Sequence, residues 1–201
     1  MSTIAVTNVK HPSAVDPAIV LDAGGDVTYA GVHDFSAATV TGAPQGLVHI
    51  ATQSFSAVSS VSLNGVFTST YDDYLINYVV LGSADDWMNF RLRASGTDNS
   101  ATNYDFQRDS TFGTTAGFAA LSNQTLFTAG RAKTDSGAGV INLYRPALAE
   151  FTQIVTNTGT SGQFTRITGV HDVSSSFDGF TVSRTLGTIT GTIRVYGYQN
   201  S

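Results

Sequence analysis

Four histidines and fourteen aspartates are the residues of this chain best suited to catalysis or metal binding. His11, His33, His49 and His171 are not spaced three or four apart, so no helix can present two of them to one metal ion. His33-Asp34 and His171-Asp172 each set a carboxylate beside an imidazole. Adjacent residues of a strand face opposite ways, so neither dipeptide makes a dyad by itself. Asp72-Asp73 and Asp85-Asp86 are the carboxylate pairs. A calcium loop needs acids or amides at its first, third and fifth positions and a later bidentate acid, which neither pair has. A glycosidase needs two carboxyls flanking one bond, and adjacency in sequence does not supply that. Both pairs read as solvated turn residues. Cysteine is absent and Glu150 is the one glutamate. Nucleophile elbows, phosphate loops and the zinc-protease pattern are absent too. The sequence nominates no catalytic residue, no metal site and no cofactor, and is expected not to encode an enzyme.

The better candidates are contact residues. Trp87 is followed by Arg91 and Arg93 in a run that alternates cleanly, Trp87-Met-Asn-Phe-Arg-Leu-Arg-Ala94. Met88, Phe90, Leu92 and Ala94 are expected to point inward, and Asn89, Arg91 and Arg93 outward. An outer face carrying Trp87, Arg91 and Arg93, continued by Asp98, Asn99 and Tyr104, could contact an acidic glycan or a partner chain. The plainer alternative is a polar outer sheet face. Tyr71, Tyr74 and Tyr78 are further rings able to stack on a sugar, or to fill the core.

The elements that must position these residues are strands. Of 201 residues, 21 are Ser and 27 are Thr, against two Lys and one Glu. Thr, Val, Ile, Tyr and Phe favour strands, while Glu and Lys favour exposed helix. With 20 glycines for turns, the composition is all-β and excludes a helical bundle, a coiled coil and a dinucleotide-binding α/β enzyme. Charged residues are only 12%, with a net charge of −5. A chain of that sign has no general field for gathering nucleic acid, and no apolar run is long enough to cross a membrane as a helix.

Strands are expected at Tyr74–Leu81, Trp87–Ala94, Val140–Tyr144, Phe151–Val155, Phe164–Val170, Phe180–Arg184 and Thr190–Tyr198. Asn64-Gly65, Gly96-Thr97-Asp98-Asn99, Gly159-Thr160-Ser161-Gly162 and Asp178-Gly179 punctuate them. Such a series argues for a sandwich or a closed barrel, and the reading favoured is a jelly-roll-like β-sandwich of about eight strands. The stretch Asn99–Phe118 reads as a long loop with one short strand near Tyr104–Phe106.

Residues 1–45 differ from residues 46–201. They hold three of the four prolines and few aromatics. A strand is expected at Ile4–Val9, an extended link through Pro12 and Pro17, a hairpin over Ala18–Ala30 turning at Gly24-Gly25, and a strand within Val32–Val40. An isolated hairpin is marginal in water. This arm is therefore expected to borrow its core from other chains through Ile4, Val6, Val9, Ile19, Leu21, Val27, Tyr29 and Phe35.

The runs Ile4–Ser13 and Pro17–Gly31 resemble the opening of bacteriophage tail-fibre and virion appendage proteins, which often begin with a histidine-proline-serine run followed by a short apolar strand and a glycine turn. Phe177–Val182 and Gly191–Tyr198 resemble the closing strands of their β-sandwich heads. Tyr71–Ile76 with Asn89–Arg93 is similar to their central hairpin. The resemblance implies a virion protein assembled in the host cytoplasm, a homotrimer anchored by its N-terminal segment on tail, portal-proximal or capsid proteins. The head would face outward, where a host surface glycan is a candidate receptor. Direct nucleic acid binding and membrane insertion are not implied. The chain has no extended shaft, so a short tail fibre or surface appendage fits its length. A capsid decoration protein and a carbohydrate-binding or depolymerising module remain alternatives.

Overall fold

The computed structural model describes residues 46–200 and, before them, three short strands: β1 (Asn8–Val9), β2 (Ile19–Leu21) and β3 (Val27–Tyr29). The chain divides into two compact units, Met1–Pro44 and Gln45–Ser201. In the first unit the strands form an antiparallel sheet in the order β1-β2-β3. Ile19 pairs with Tyr29 and Leu21 with Val27, an antiparallel pair within the expected span, but its register is one residue off that of a two-residue turn at Gly24-Gly25. The expected strand within Val32–Val40, and the arm residues Ile4, Val6 and Phe35, lie outside the described residues.

The second unit is the all-β, jelly-roll-like sandwich. In chain order its strands are β4 (Leu47–Val58), β5 (Ser60–Leu63), β6 (Asp73–Gly82), β7 (Asp86–Ala94), β8 (Thr97–Asp98), β9 (Tyr104–Phe112), β10 (Thr115–Gln124), β11 (Phe127–Ala132), β12 (Ala138–Tyr144), β13 (Glu150–Thr160), β14 (Gln163–Ser175), β15 (Gly179–Arg184) and β16 (Ile189–Tyr198). They form one eight-stranded sheet, β10-β9-β14-β13-β12-β6-β16-β4, and a smaller sheet, β11-β7-β15-β5, with β8 pairing β7. All pairs are antiparallel, and no helix occurs among the described residues. There are more strands than the eight expected, because the edge strands, β4 and β10 of the large sheet and β5 and β11 of the smaller one, and the two-residue β8 are not among them.

Side-chain alternation builds the core. On β7, Met88, Phe90 and Leu92 are fully buried while Asn89, Arg91 and Arg93 face the other way, as the spacing requires. Ala94 departs from that pattern: it is exposed, as the last residue of the strand, paired with Thr97 of β8. On β6, Tyr74, Ile76, Tyr78 and Val80 face the same interior. Phe180 stacks between Phe90 and Phe67, with ring centroids at 5.1 and 5.7 Å. A second aromatic group packs Tyr104 edge-on against Phe127 and His171, at 4.8 and 4.9 Å. Each fully buried ring contributes about 1.5–3 kcal/mol of burial before ordering costs.

The long loop expected over Asn99–Phe118 is instead largely a hairpin. β9 and β10 pair from Tyr104–Gln124 to Phe112–Thr115 and turn at Gly113, whose φ of +57° suits glycine. The pattern is weak there because β10 is the edge of the large sheet, with most of its residues exposed on both faces. Gly179 lies where two strands approach closely: a Cβ would stand 2.1 Å from the Leu63 carbonyl oxygen.

Candidate functional site

Trp87 lies at the start of β7 and is half-buried. Two guanidinium groups rest on its indole. The Cζ of Arg108, from β9, is 4.0 Å from the ring centroid, and that of Arg131, from β11, is 5.2 Å away. Register sets Arg131 directly across from Trp87. Arg108 belongs to the inward-facing set of β9, with Tyr104 and Phe106, but lies beyond the buried part of that strand. Among the described residues neither arginine has a carboxylate within ion-pair distance. Nη2 of Arg131 donates to the Asp85 carbonyl at 3.4 Å, and its Nε is buried without a partner. Burial, and then the charge of Arg131, lowers the Arg108 pKa.

The other predicted contact residues have different employment. Arg93 pairs with Asp98 and donates to Asn64 Oδ1, Ser62 Oγ and Thr181 Oγ1, tying β5, β7, β8 and β15 together. Asp98 also accepts from Thr181 Oγ1 at 2.6 Å. Arg91 donates from Nε to the Thr125 carbonyl at 3.1 Å. The Asn99 carbonyl accepts the Tyr104 hydroxyl at 2.8 Å. Tyr104 does not lie on the outer face as expected: its side chain is wholly buried in the aromatic core and cannot meet a receptor. The structure thus keeps Trp87 with Arg108 and Arg131, and turns Arg93, Asp98 and Tyr104 into internal fastenings. The sequence signal for Arg108 was an arginine at an inward position of a strand; reading that stretch as loop hid it. Tyr74 and Tyr78 are likewise interior, with Tyr78 donating to the Ala129 carbonyl at 2.7 Å.

The carboxylate pairs sit at opposite ends of β6, whose ten residues span about 30 Å at ~3.3 Å each. Asp73 Oδ1 accepts the Arg145 amide at 3.3 Å. Asp85 lies 3.7 Å from Lys133 Nζ, and Asp86 Oδ2 accepts the Leu186 amide at 3.2 Å. Each pair serves its own turn, and the two cannot flank one bond. Among the described residues no three of His, Asp and Glu converge on one point. His49 is exposed and bonded to Thr52 Oγ1 at 2.8 Å. His171 is buried with its Nε2 unpartnered, and desolvation lowers its pKa. His11 and His33 lie outside the described residues.

A second surface is the outer face of the large sheet. One cross-strand row runs Asp109, Arg166, Asn157, Val140, Asn77 and Arg194. Beside it lie exposed Phe118, Phe164 and Val79, and an open depression of about 410 Å³ lined by Gln107, Asp109, Phe118, Ala120 and Arg166.

The described residues therefore define an all-β protein whose larger unit is a β-sandwich. No family model matches the chain and no curated protein matches it. Among solved structures, the galectin LEC-6 of Caenorhabditis elegans aligns over 76% of this chain and 96% of its own, with 11% identity and a TM-score of 0.33, a likeness too remote to assign a function.

Proposed function

We propose that this chain is a subunit of a bacteriophage virion appendage, a short tail fibre or surface projection. Its N-terminal unit attaches to the particle and its β-sandwich head is displayed. The observation that carries the reading is the division into a small three-stranded unit and a separately cored sandwich. Such a division suits one part that anchors and one that contacts. The opening residues and closing strands that resemble phage appendage proteins point the same way. The head's surface supports contact rather than catalysis as its work. The outer face of the large sheet exposes Phe118, Phe164 and Val79 beside a row of charged and amide side chains, and such a patch suits an interface. A homotrimer is the assembly proposed.

Quantitative mass spectrometry of purified particles tests this. The expected result is the protein present in a small multiple of three per particle. Copies in proportion to the capsid subunits would make it a decoration protein, and absence from particles would overturn the reading.

A further inference from the structure

We propose that the Trp87 corner of the head binds an oxyanion, a carboxylate or sulfate, carried on an acidic surface saccharide, and that Arg108 and Arg131 grip it. The saccharide as source rests on the appendage reading; the oxyanion chemistry rests on the geometry alone.

Stacking a guanidinium on an indole leaves its in-plane N–H donors free. Two such groups, 4.0 and 5.2 Å from one ring centroid, bring two sets of donors to one corner, a fork for an oxyanion, which arginine recognises through paired, charge-assisted bonds. The contrast with the other half-buried or buried cations of the head is what marks this pair. Arg93 has Asp98, Lys133 has Asp85 and the Ser161 carbonyl, and Arg91 has the Thr125 carbonyl; Arg184 has the Ala84 carbonyl and, like Arg131, a buried Nε without a partner, but among the described residues it lies over no aromatic ring. Arg108 has no polar partner among the described residues, and Arg131 spends one long bond. Two like charges meet at one ring with no acid among the described residues paired to either, so an added anion would relieve a repulsion already present. The nearby acids are committed: Asp85 to Lys133 and the Thr134 amide, Asp86 to the Leu186 amide. Asp109 follows Arg108 on β9 and so points to the opposite face. The three residues come from β7, β9 and β11, in both sheets, so the fork is held by the sandwich rather than by a loop. In a chain of net charge −5, the fork attracts only at short range, which favours a specific acidic group over bulk polyanions.

Trp87 is the only tryptophan of the chain, so its fluorescence reports this corner alone. The full-length protein is titrated with sialyllactose, with neutral lactose, and with sodium sulfate as the free anion. The expected result is a saturable change in Trp87 emission with sialyllactose and none with lactose. Arg108→Gln and Arg131→Gln should each weaken it by about tenfold or more, the loss expected for a charged hydrogen-bonding partner. Arg194→Gln, on the outer face of the large sheet, should leave it unchanged, and all variants should keep the parent melting temperature to within a few degrees. No saturable change up to ~10 mM, or equal affinity for lactose, would overturn the proposal. Sulfate binding as tightly as sialyllactose would overturn its saccharide part and leave a plain anion site. Absence of binding in a protein found in particles would leave the appendage reading standing. Binding by a protein absent from particles would do the reverse.

Discussion

Arg93 shows how one side chain can look like a contact residue and act as a fastener. From β7 it holds Ser62 of β5, Asp98 of β8, Thr181 of β15 and Asn64 just beyond β5, while keeping only 13% of its side chain exposed. Arg93→Met should destabilise the head by about 1–3 kcal/mol, because Asp98 and the hydroxyls lose a charged partner; urea unfolding measures it. His171 gives a pH prediction. Burial lowers its folded-state pKa below the ordinary 6.5. Below that value the unfolded chain takes up a proton that the folded chain resists, so stability falls as pH drops. Asp172 and the Val173 carbonyl act in the opposite direction but weigh less than burial. The melting temperature should drop between pH 7.5 and pH 5.5, and His171→Phe should flatten that drop. A His171→Phe protein as acid-sensitive as its parent would assign the effect elsewhere. These residue-level roles were legible only in part. Alternation on β7 separated Met88, Phe90 and Leu92 from Arg91 and Arg93 correctly, but which outward residue meets which acid depends on strand order. Arg93 reaches Thr181 because β15 lies beside β7, a neighbour 88 positions away.

At the scale of elements, strongly alternating strands were readable and edge strands were not. β6, buried on one face and half-covered on the other, reads as a strand without ambiguity. β10 does not, since an edge strand that overhangs the smaller sheet needs no apolar row. Its ten residues, Thr115–Gln124, carry no charge, whereas edges are usually guarded by lysine or proline. Lysine at Ala116 and Ala120 should reduce concentration-dependent association of the head without lowering its melting temperature by more than a few degrees, as light scattering and calorimetry would show. The core is less forgiving. Phe180 lies between Phe90 and Phe67, and Phe180→Ala should cost about 3–5 kcal/mol from lost burial and the cavity left behind.

The whole molecule is two units on one chain, and the second carries its own core. Every buried apolar residue of the sandwich lies between Val61 and Val195. Residues 46–201 alone should therefore fold cooperatively, with the circular dichroism of an all-β domain and the Trp87 emission of the full chain. A truncated protein that aggregates or melts without a transition would show that the first unit completes the head's core. The composition announced this architecture early. Hydroxyl-rich, helix-poor and glycine-punctuated, it left little besides a sandwich or barrel. It could not announce the Trp87 corner, because Trp87, Arg108 and Arg131 meet only once β9 and β11 are placed.

In the proposed function the N-terminal unit anchors this head to a virus particle. The direct measurement is incorporation of the protein lacking residues 1–45, produced beside the full chain during phage assembly and scored in purified particles. The account predicts a folded head left in the supernatant while the full chain is incorporated. Equal incorporation of the two would contradict it.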